Sequence, residues 1–151
     1  MQKTHILVLA AILIIAFALY FFIFKPGERF EIIHYSNITD FSEASSNFSQ
    51  IPNLSENYWI KYDNETIVYV SRLFFNNSES SSGFSEEMLN MFEKQIKVME
   101  NYSFGEYSGY YVSDGKKSNF YLLKDNVFLM FGGEERETTE KVVEWFIEKF
   151  G

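Results

Sequence analysis

Cysteine is absent from this chain of 151 residues, and histidine occurs only at positions 5 and 34. Without thiols there is no disulfide framework, no thiolate metal site, no cysteine nucleophile and no lipid-modified cysteine. His5 flanks a long apolar run and His34 falls in a predicted strand, so no histidine pair is available for a metal site or a proton relay. Any bound metal would need carboxylate ligands alone.

Proline and glycine are also scarce, with two and eight residues, which argues against a long disordered linker or a fibrous repeat. The length suits one folded domain. Lys3 and Lys25 are the charged residues of 1–25, and residues 26–151 hold the other 11 Lys and Arg against 21 Asp and Glu. A domain this acidic is repelled by phosphate backbones, so nucleic acid is not an expected partner.

One long uncharged run stands near the start of the chain, ILVLAAILIIAFALYFFIF at residues 6–24. Nineteen residues at about 1.5 Å each would span about 29 Å as a helix, close to the hydrocarbon thickness of a bilayer. The run predicts a signal-anchor helix within residues 1–25, then a short linker at 26–29 and a single soluble domain at 30–151. A signal peptide cleaved after Ala18 stays open as the alternative, because Ala16-Phe17-Ala18 has the small-x-small form of a cleavage site.

Glycosylation sequons indicate on which side of the membrane the domain lies, since the numbers of basic residues on the two sides of the apolar run are nearly equal and give no orientation. About one or two Asn-x-Ser/Thr sequons are expected by chance. The chain has six candidate glycosylation sites: Asn37, Asn47, Asn53, Asn64, Asn76 and Asn101. The excess predicts a single-pass protein of the cell membrane with its domain on the external face, although Asn- and Ser-rich loops also generate sequons without use.

Hydrophobic periodicity predicts the order β, short α, ββ, α, βββ, α. The expected elements are a strand at 30–35, a short helix within 40–48, a hairpin of 58–62 and 66–75, a loop at 76–83, a helix over about 85–102, strands at 107–113, 118–124 and 127–131, and a helix at 135–150. The predicted fold class is therefore α+β: an N-terminal transmembrane helix, then a mostly antiparallel sheet of about 5–6 strands covered on one face by two amphipathic helices.

The segment GEYSGYYVSDGKKSNFYLLKDNVFLMFGG, flanked by the two amphipathic helices, resembles small exported domains of the PsbP/Mog1 type. The resemblance covers about residues 84–150 and consists of the order of elements. It implies a twisted antiparallel sheet with flanking helices and a non-catalytic accessory or binding role. The Tyr-Pro-x-x-Trp opening of that type is missing, because Tyr58 is followed directly by Trp59, and no functional residue is carried over.

No stretch of the sequence fits a catalytic or cofactor motif. Residues 114–118, DGKKS, lack the first glycine and the hydroxyl position of a phosphate loop and are better explained as a hairpin turn. Four glutamates at helical spacing, Glu137, Glu140, Glu144 and Glu148, indicate a solvated helix face, with a weak divalent-cation surface as the alternative. We therefore predict no catalytic, cofactor-binding or metal-binding residue.

Aromatic residues make up 19% of the chain and concentrate in the predicted strands. Alternation puts Tyr107 and Tyr111 on the opposite face from Tyr110. The candidate aromatic binding surface consists of Tyr58, Tyr62, Tyr107 and Tyr111. Ordinary packing in the core is the alternative for the same side chains.

The combined pattern predicts a non-enzymatic, membrane-anchored domain outside the cytoplasm that acts as a binding or accessory module of the cell envelope. Besides the membrane, the expected partner is an envelope protein or a glycan. A pilin-like filament subunit is one alternative, although the chain lacks the short charged leader and the glutamate near the start of the apolar helix. An enzyme that uses only carboxylates is the other.

Overall fold

Residues 27–42, 48–63 and 66–151 are described by the computed structural model of this chain. These residues form seven strands and two α-helices, with a short 3-10 turn at Glu93–Gln95 after the first helix. In chain order the elements are β1 Phe30–Ile38, β2 Leu54–Tyr62, β3 Thr66–Phe74, α1 Ser78–Phe92, β4 Val98–Phe104, β5 Tyr107–Ser113, β6 Ser118–Lys124, β7 Val127–Gly133 and α2 Arg136–Phe150.

The strands of the described residues build one antiparallel sheet with the order β1-β2-β3-β7-β6-β5-β4. The last strand, β7, lies between β3 and β6, so Phe131 is paired with Val70 on one side and with Phe120 on the other. Two meanders, β1–β3 and β4–β7, are thereby joined at the centre of the sheet. Strands β1 and β4 form the two edges.

Helix α2 packs on one face of the sheet, which we call the α2 face. Its apolar stripe of Val142, Val143, Phe146 and Ile147 is buried. The sheet contributes alternate residues of its central strands, all at most 1% exposed: Ile60, Val68, Val70, Phe120, Leu122, Leu129 and Phe131. Each large apolar side chain removed from water contributes roughly 1.5–3 kcal/mol, so this layer is the main core.

Helix α1 packs on the opposite face, which we call the α1 face. Phe84 and Met88 are buried there against Phe128 and Tyr121. The helix contacts β6 and β7, and Trp59 on β2 and Ile67 on β3 are about half exposed (48% and 49%) on the same face. The prediction that both helices cover one face was therefore wrong, and part of the α1 face over β2 and β3 is open.

Helix α1 begins earlier than predicted. Asn77 caps it by accepting a hydrogen bond from the backbone N–H of Ser80 at 2.8 Å. Ser81 Oγ donates to the carbonyl of Asp125 at 2.7 Å and so ties the first turn to the β6–β7 turn. The serine-rich tract predicted as a loop is therefore helical, because its cap and a tertiary hydrogen bond outweigh weak propensity.

The segment predicted as the end of that helix is strand β4. It pairs with β5 along its whole length, from Val98 opposite Ser113 to Phe104 opposite Tyr107. Gly105, at a φ of +60°, begins the two-residue turn between them. Non-local pairing with β5 thus overrides the helical spacing of Met99 with the residues before it.

The predicted α+β class and antiparallel sheet are confirmed, as are strands at 107–113 and 118–124. The fold class as a whole needs correction, since the described residues form seven strands rather than about 5–6. No helix in the described ranges is long and apolar enough to cross a membrane. The predicted span at 6–24 and residues 43–47 of the short helix lie outside the described residues.

Candidate functional site

The tyrosines predicted as a binding surface lie under helix α2. Tyr58, Tyr107 and Tyr111 are 7%, 5% and 6% exposed, and Tyr62 is half-buried against the same core cluster. The alternation was right, because Tyr107 and Tyr111 do share a face, but α2 covers that face. These side chains are core residues, which corrects the predicted surface. Burial, with a smaller contribution from Glu56, raises the pKa of Tyr58 to about 12.

A different set of aromatic side chains is exposed on the α1 face. Trp59 and Tyr69 are directly opposite each other on β2 and β3 and are 48% and 37% exposed. The ring of His34, on the edge strand β1, lies 5.5 Å from that of Trp59. Ile67 precedes Tyr69 by two residues and shares its side of β3. We call His34, Trp59, Ile67 and Tyr69 the aromatic face.

A buried polar cluster holds Tyr69 in place. The Tyr69 hydroxyl donates to Asn57 Oδ1 at 2.8 Å. Ser71 Oγ lies 2.7 Å from the same oxygen and 2.9 Å from the Tyr69 hydroxyl. Ser55 Oγ adds a longer contact to Asn57 Oδ1 at 3.3 Å. An exposed ring is thus fixed through its hydroxyl to side chains that are almost fully buried.

If a member of this cluster lost its hydrogen-bond partner, the free energy of unfolding would fall by about 1–3 kcal/mol, because an unpaired polar group in the protein interior is destabilising. Asn57 and Ser71 are buried at positions where β2 and β3 could carry apolar residues. Their hydrogen bonds restrict Tyr69 to one orientation beside Trp59. The aromatic face is therefore preorganised, which lowers the entropy lost when a ligand binds.

On the α1 face, residues that are opposite one another on neighbouring strands form a row, which runs from His34 and Trp59 to Tyr69 and continues onto β7 and β6. Gly132 on β7 is opposite Tyr69, and Asn119 on β6 is opposite Gly132. A Cβ at Gly132 would lie 3.2 Å from Asn119 Oδ1. Because glycine has no side chain, this position of β7 adds no projecting group between Tyr69 and Asn119. Four inter-strand steps separate His34 from Asn119, a length of about 19 Å.

Asn119 also belongs to a cleft of about 300 Å³ that begins where the row ends. Its apolar lining comes from Phe92, Ile96, Val112 and Tyr121. Asp114 stands at its rim and accepts hydrogen bonds from the backbone N–H groups of Lys117 and Lys116, at 2.7 and 2.8 Å, which lower the pKa of that carboxyl. The α1 face therefore offers aromatic rings, an amide and a cleft in sequence.

The four described sequon asparagines are all exposed: Asn37, Asn53, Asn76 and Asn101. Asn53 Nδ2 donates to Asn76 Oδ1 at 2.7 Å, so these two amides are engaged with each other. Asn37 lies on β1 and Asn101 on β4, the two edges of the sheet. Asn47 and Asn64 lie outside the described residues.

The glutamates predicted to form an acidic face all lie on helix α2: Glu137, Glu140, Glu144 and Glu148. Burial, with Glu140 and Glu144 nearby, raises the pKa of Tyr102 on β4. In the described ranges no group of three His, Asp or Glu side chains is placed to hold a metal ion. Glu140 and Glu144 thus act on β4 as charges beside Tyr102.

The aromatic face was not predicted, because the predicted surface consisted of tyrosines alone. Trp59 and Tyr69 alternate with the purely apolar positions Ile60, Val68 and Val70. The side of β2 and β3 that carries Trp59 and Tyr69 also carries the polar residues Asn57 and Ser71. A strand side that mixes aromatic rings with polar groups indicates a face that is not fully covered. Comparison with known protein families, curated proteins and solved structures finds no match, so the resemblance to PsbP/Mog1-type domains stays a prediction.

Proposed function

We propose that this domain is a non-catalytic binding module of the cell envelope and that the aromatic face holds an uncharged glycan. The observation that carries the proposal is the exposed Trp59–Tyr69 pair, whose second ring is fixed by the buried Asn57 and Ser71. Two partly exposed rings at one cross-strand pair present apolar surface on the same side of the sheet, and the Tyr69 ring is held by its hydroxyl before any ligand arrives.

The chemistry of the row favours a sugar. The C–H bonds of a pyranose ring form an apolar face that packs against an aromatic ring, whose own face carries partial negative charge. The hydroxyl groups of the sugar need hydrogen-bond partners, and Asn119 and the groups at the cleft rim supply them at the end of the row. Stacking and hydrogen bonding are thus both available along one path.

Charge favours a neutral ligand. The row of His34, Trp59, Tyr69, Gly132 and Asn119 contains no acidic side chain and no permanent cation. Residues 26–151 carry an excess of acid, since they hold 21 Asp and Glu against 11 Lys and Arg. An anionic polysaccharide would be repelled by this field, whereas a neutral one would not.

The external location is part of the same proposal. It is supported by the sequon excess and by the exposure of the four described sequon asparagines. A glycan-binding module on the outer side of the envelope would meet its ligand there. Protease shaving of intact cells, with a cytoplasmic protein as the control, tests this location independently of binding.

Tryptophan fluorescence tests the binding proposal directly. The chain has two tryptophans, and Trp145 on α2 is stacked on Phe30 at 4.9 Å. A Trp145→Phe background makes Trp59 the reporter, to be titrated with neutral oligosaccharides such as β-linked glucose, N-acetylglucosamine and mannose series. We expect a saturable change in Trp59 emission, and in the native background Trp59→Ala lowers affinity at least about tenfold by saccharide pull-down.

A matched control is Tyr35→Ala, which removes a ring with 48% exposure that packs on Tyr58 rather than on the aromatic face. This variant should bind like the parent. Equal loss in both variants, or no saccharide response at all, would count against the proposal. If a purified envelope protein binds instead and Trp59→Ala abolishes that binding, the ligand is a protein and the glycan assignment is wrong.

A further inference from the structure

In the sheet formed by the described residues, strand β4 is a free edge whose one charged side chain is Glu100, ion-paired to Arg136 at 2.8 Å. Its outward backbone N–H and C=O groups are open to pairing with another strand. Val98 and Met99 are 39% and 47% exposed, and the pairing with β5 runs without a register shift. The other edge, β1, is interrupted by a bulge between Ile32 and His34. An edge strand without a bulge can pair with a second strand unless something covers it.

Asn101 stands at the middle of this edge strand and begins the sequon Asn101-Tyr102-Ser103. Its side-chain amide makes no hydrogen bond to the described residues, whereas the amides of Asn53 and Asn76 are bound to each other at 2.7 Å. A free, exposed amide on a sequon is the group that N-glycosylation modifies.

An open hollow of about 450 Å³ lies beside Asn101 on the α1 face. Tyr110, the cross-strand partner of Asn101, forms one wall. Its lining also includes Ser103, Ser108 and Leu123. The hollow therefore combines an aromatic ring and an apolar side chain with two hydroxyl groups, the same combination that packs and hydrogen-bonds a sugar.

We propose that Asn101 is N-glycosylated, and that the first sugars of its glycan lie in the hollow over Tyr110 and cover the free edge of β4. The transfer forms a bond from Asn101 Nδ2 to the anomeric carbon of a lipid-phosphate-linked oligosaccharide. The bond from that carbon to the phosphate oxygen breaks, the lipid phosphate leaves with the electron pair, and Nδ2 gives up one proton. This inference rests on the external location proposed above, and it concerns the opposite end of the sheet from the aromatic face.

Peptide mapping of the full chain from its native source is the decisive experiment. Trypsin cuts after Lys97 and Lys116, so the peptide 98–116 contains Asn101 as its single asparagine. We expect this peptide to carry hexose or N-acetylhexosamine mass on Asn101. An entirely unmodified peptide 98–116 overturns the proposal.

Variants test whether the glycan covers the edge. Asn101→Gln and Ser103→Ala each remove the sequon, and Asn76→Gln is the matched control at another exposed sequon. Amide hydrogen exchange of residues 98–104 should become at least about tenfold faster in the first two variants and stay unchanged in the control. Light scattering should show self-association of Asn101→Gln, relieved by adding Val98→Lys, because an edge lysine opposes strand pairing.

Unchanged exchange and unchanged oligomeric state in a chain that does carry the glycan overturn the covering role. Saccharide titration separates this failure from failure of the proposed function. Asn101→Gln should bind oligosaccharides as the parent does, because the aromatic face is built from β1, β2 and β3.

Discussion

Replacing Tyr69 by phenylalanine removes one hydroxyl group and leaves the exposed ring in place. In the native domain that hydroxyl donates to Asn57 Oδ1 at 2.8 Å and lies 2.9 Å from Ser71 Oγ. Ser71 keeps its own contact to Asn57 at 2.7 Å, so the buried amide oxygen is not left without a donor. The substitution therefore tests the link between the buried polar cluster and the exposed ring.

Two magnitudes follow from these contacts. Loss of one or two hydrogen bonds should lower the free energy of unfolding by about 1–2 kcal/mol. For a domain of this size, that corresponds to a fall in Tm of roughly 3–8 °C. The freed ring must be ordered again when a ligand binds, at about 0.5–1.5 kcal/mol, so saccharide affinity should fall about twofold to tenfold.

Urea unfolding followed by circular dichroism measures the first quantity, and Trp59 fluorescence titration measures the second. Tyr35→Phe is the control, because the Tyr35 hydroxyl makes no hydrogen bond to the described residues; it should change the free energy of unfolding by less than about 0.5 kcal/mol. If Tyr69→Phe matches this control in both assays, the cluster does not hold the ring and the preorganisation argument fails.

Two further predictions concern the core and a helix cap. Burial raises the pKa of Tyr58 to about 12 from its ordinary 10.0. The unfolded chain therefore loses this proton at a lower pH than the folded chain, and the free energy of unfolding should fall by up to about 2–3 kcal/mol between pH 10 and 12. Tyr58→Phe should lack this fall when urea unfolding is measured as a function of pH. Asn77→Ala removes the side chain that accepts from Ser80 N at 2.8 Å, so the urea midpoint should fall by the equivalent of about 1 kcal/mol with an unchanged slope, while Asn77→Ser keeps most of it. A flat difference between native and Tyr58→Phe chains above pH 10, or an unchanged midpoint in Asn77→Ala, would contradict these two predictions.

The local sequence pattern was sufficient to predict the strands where neighbouring strands are joined by short turns. Alternation and the turn residues Asp114-Gly115 and Asp125-Asn126 located β5, β6 and β7 to within two residues. The last helix was located equally well, since its apolar stripe is continuous from Val142 to Phe150. In these segments local propensity and the tertiary structure agree.

Local pattern failed where a distant partner decides the structure. Met99 and Tyr102 have helical spacing relative to the residues before them, yet they lie on β4 because β5 pairs with this segment. The aromatic face failed for a related reason. Which side of β2 and β3 is covered depends on where α2 packs after β7, and a local sign of it is that the polar residues Asn57 and Ser71 share the side of Trp59 and Tyr69.

The place of β7 in the sheet has a consequence for the order in which this chain can fold during synthesis. Its partner β3 ends at Phe74, far earlier in the chain, whereas β6 ends at Lys124, directly before the turn into β7, and these two strands are neighbours only through β7. Strands β1–β3 and β4–β6 therefore have no pairing with each other until residues 127–133 have been made. Helix α2 follows immediately and packs over β6 and β7, so the seven-stranded sheet is completed and covered on this face only after β7 has been made.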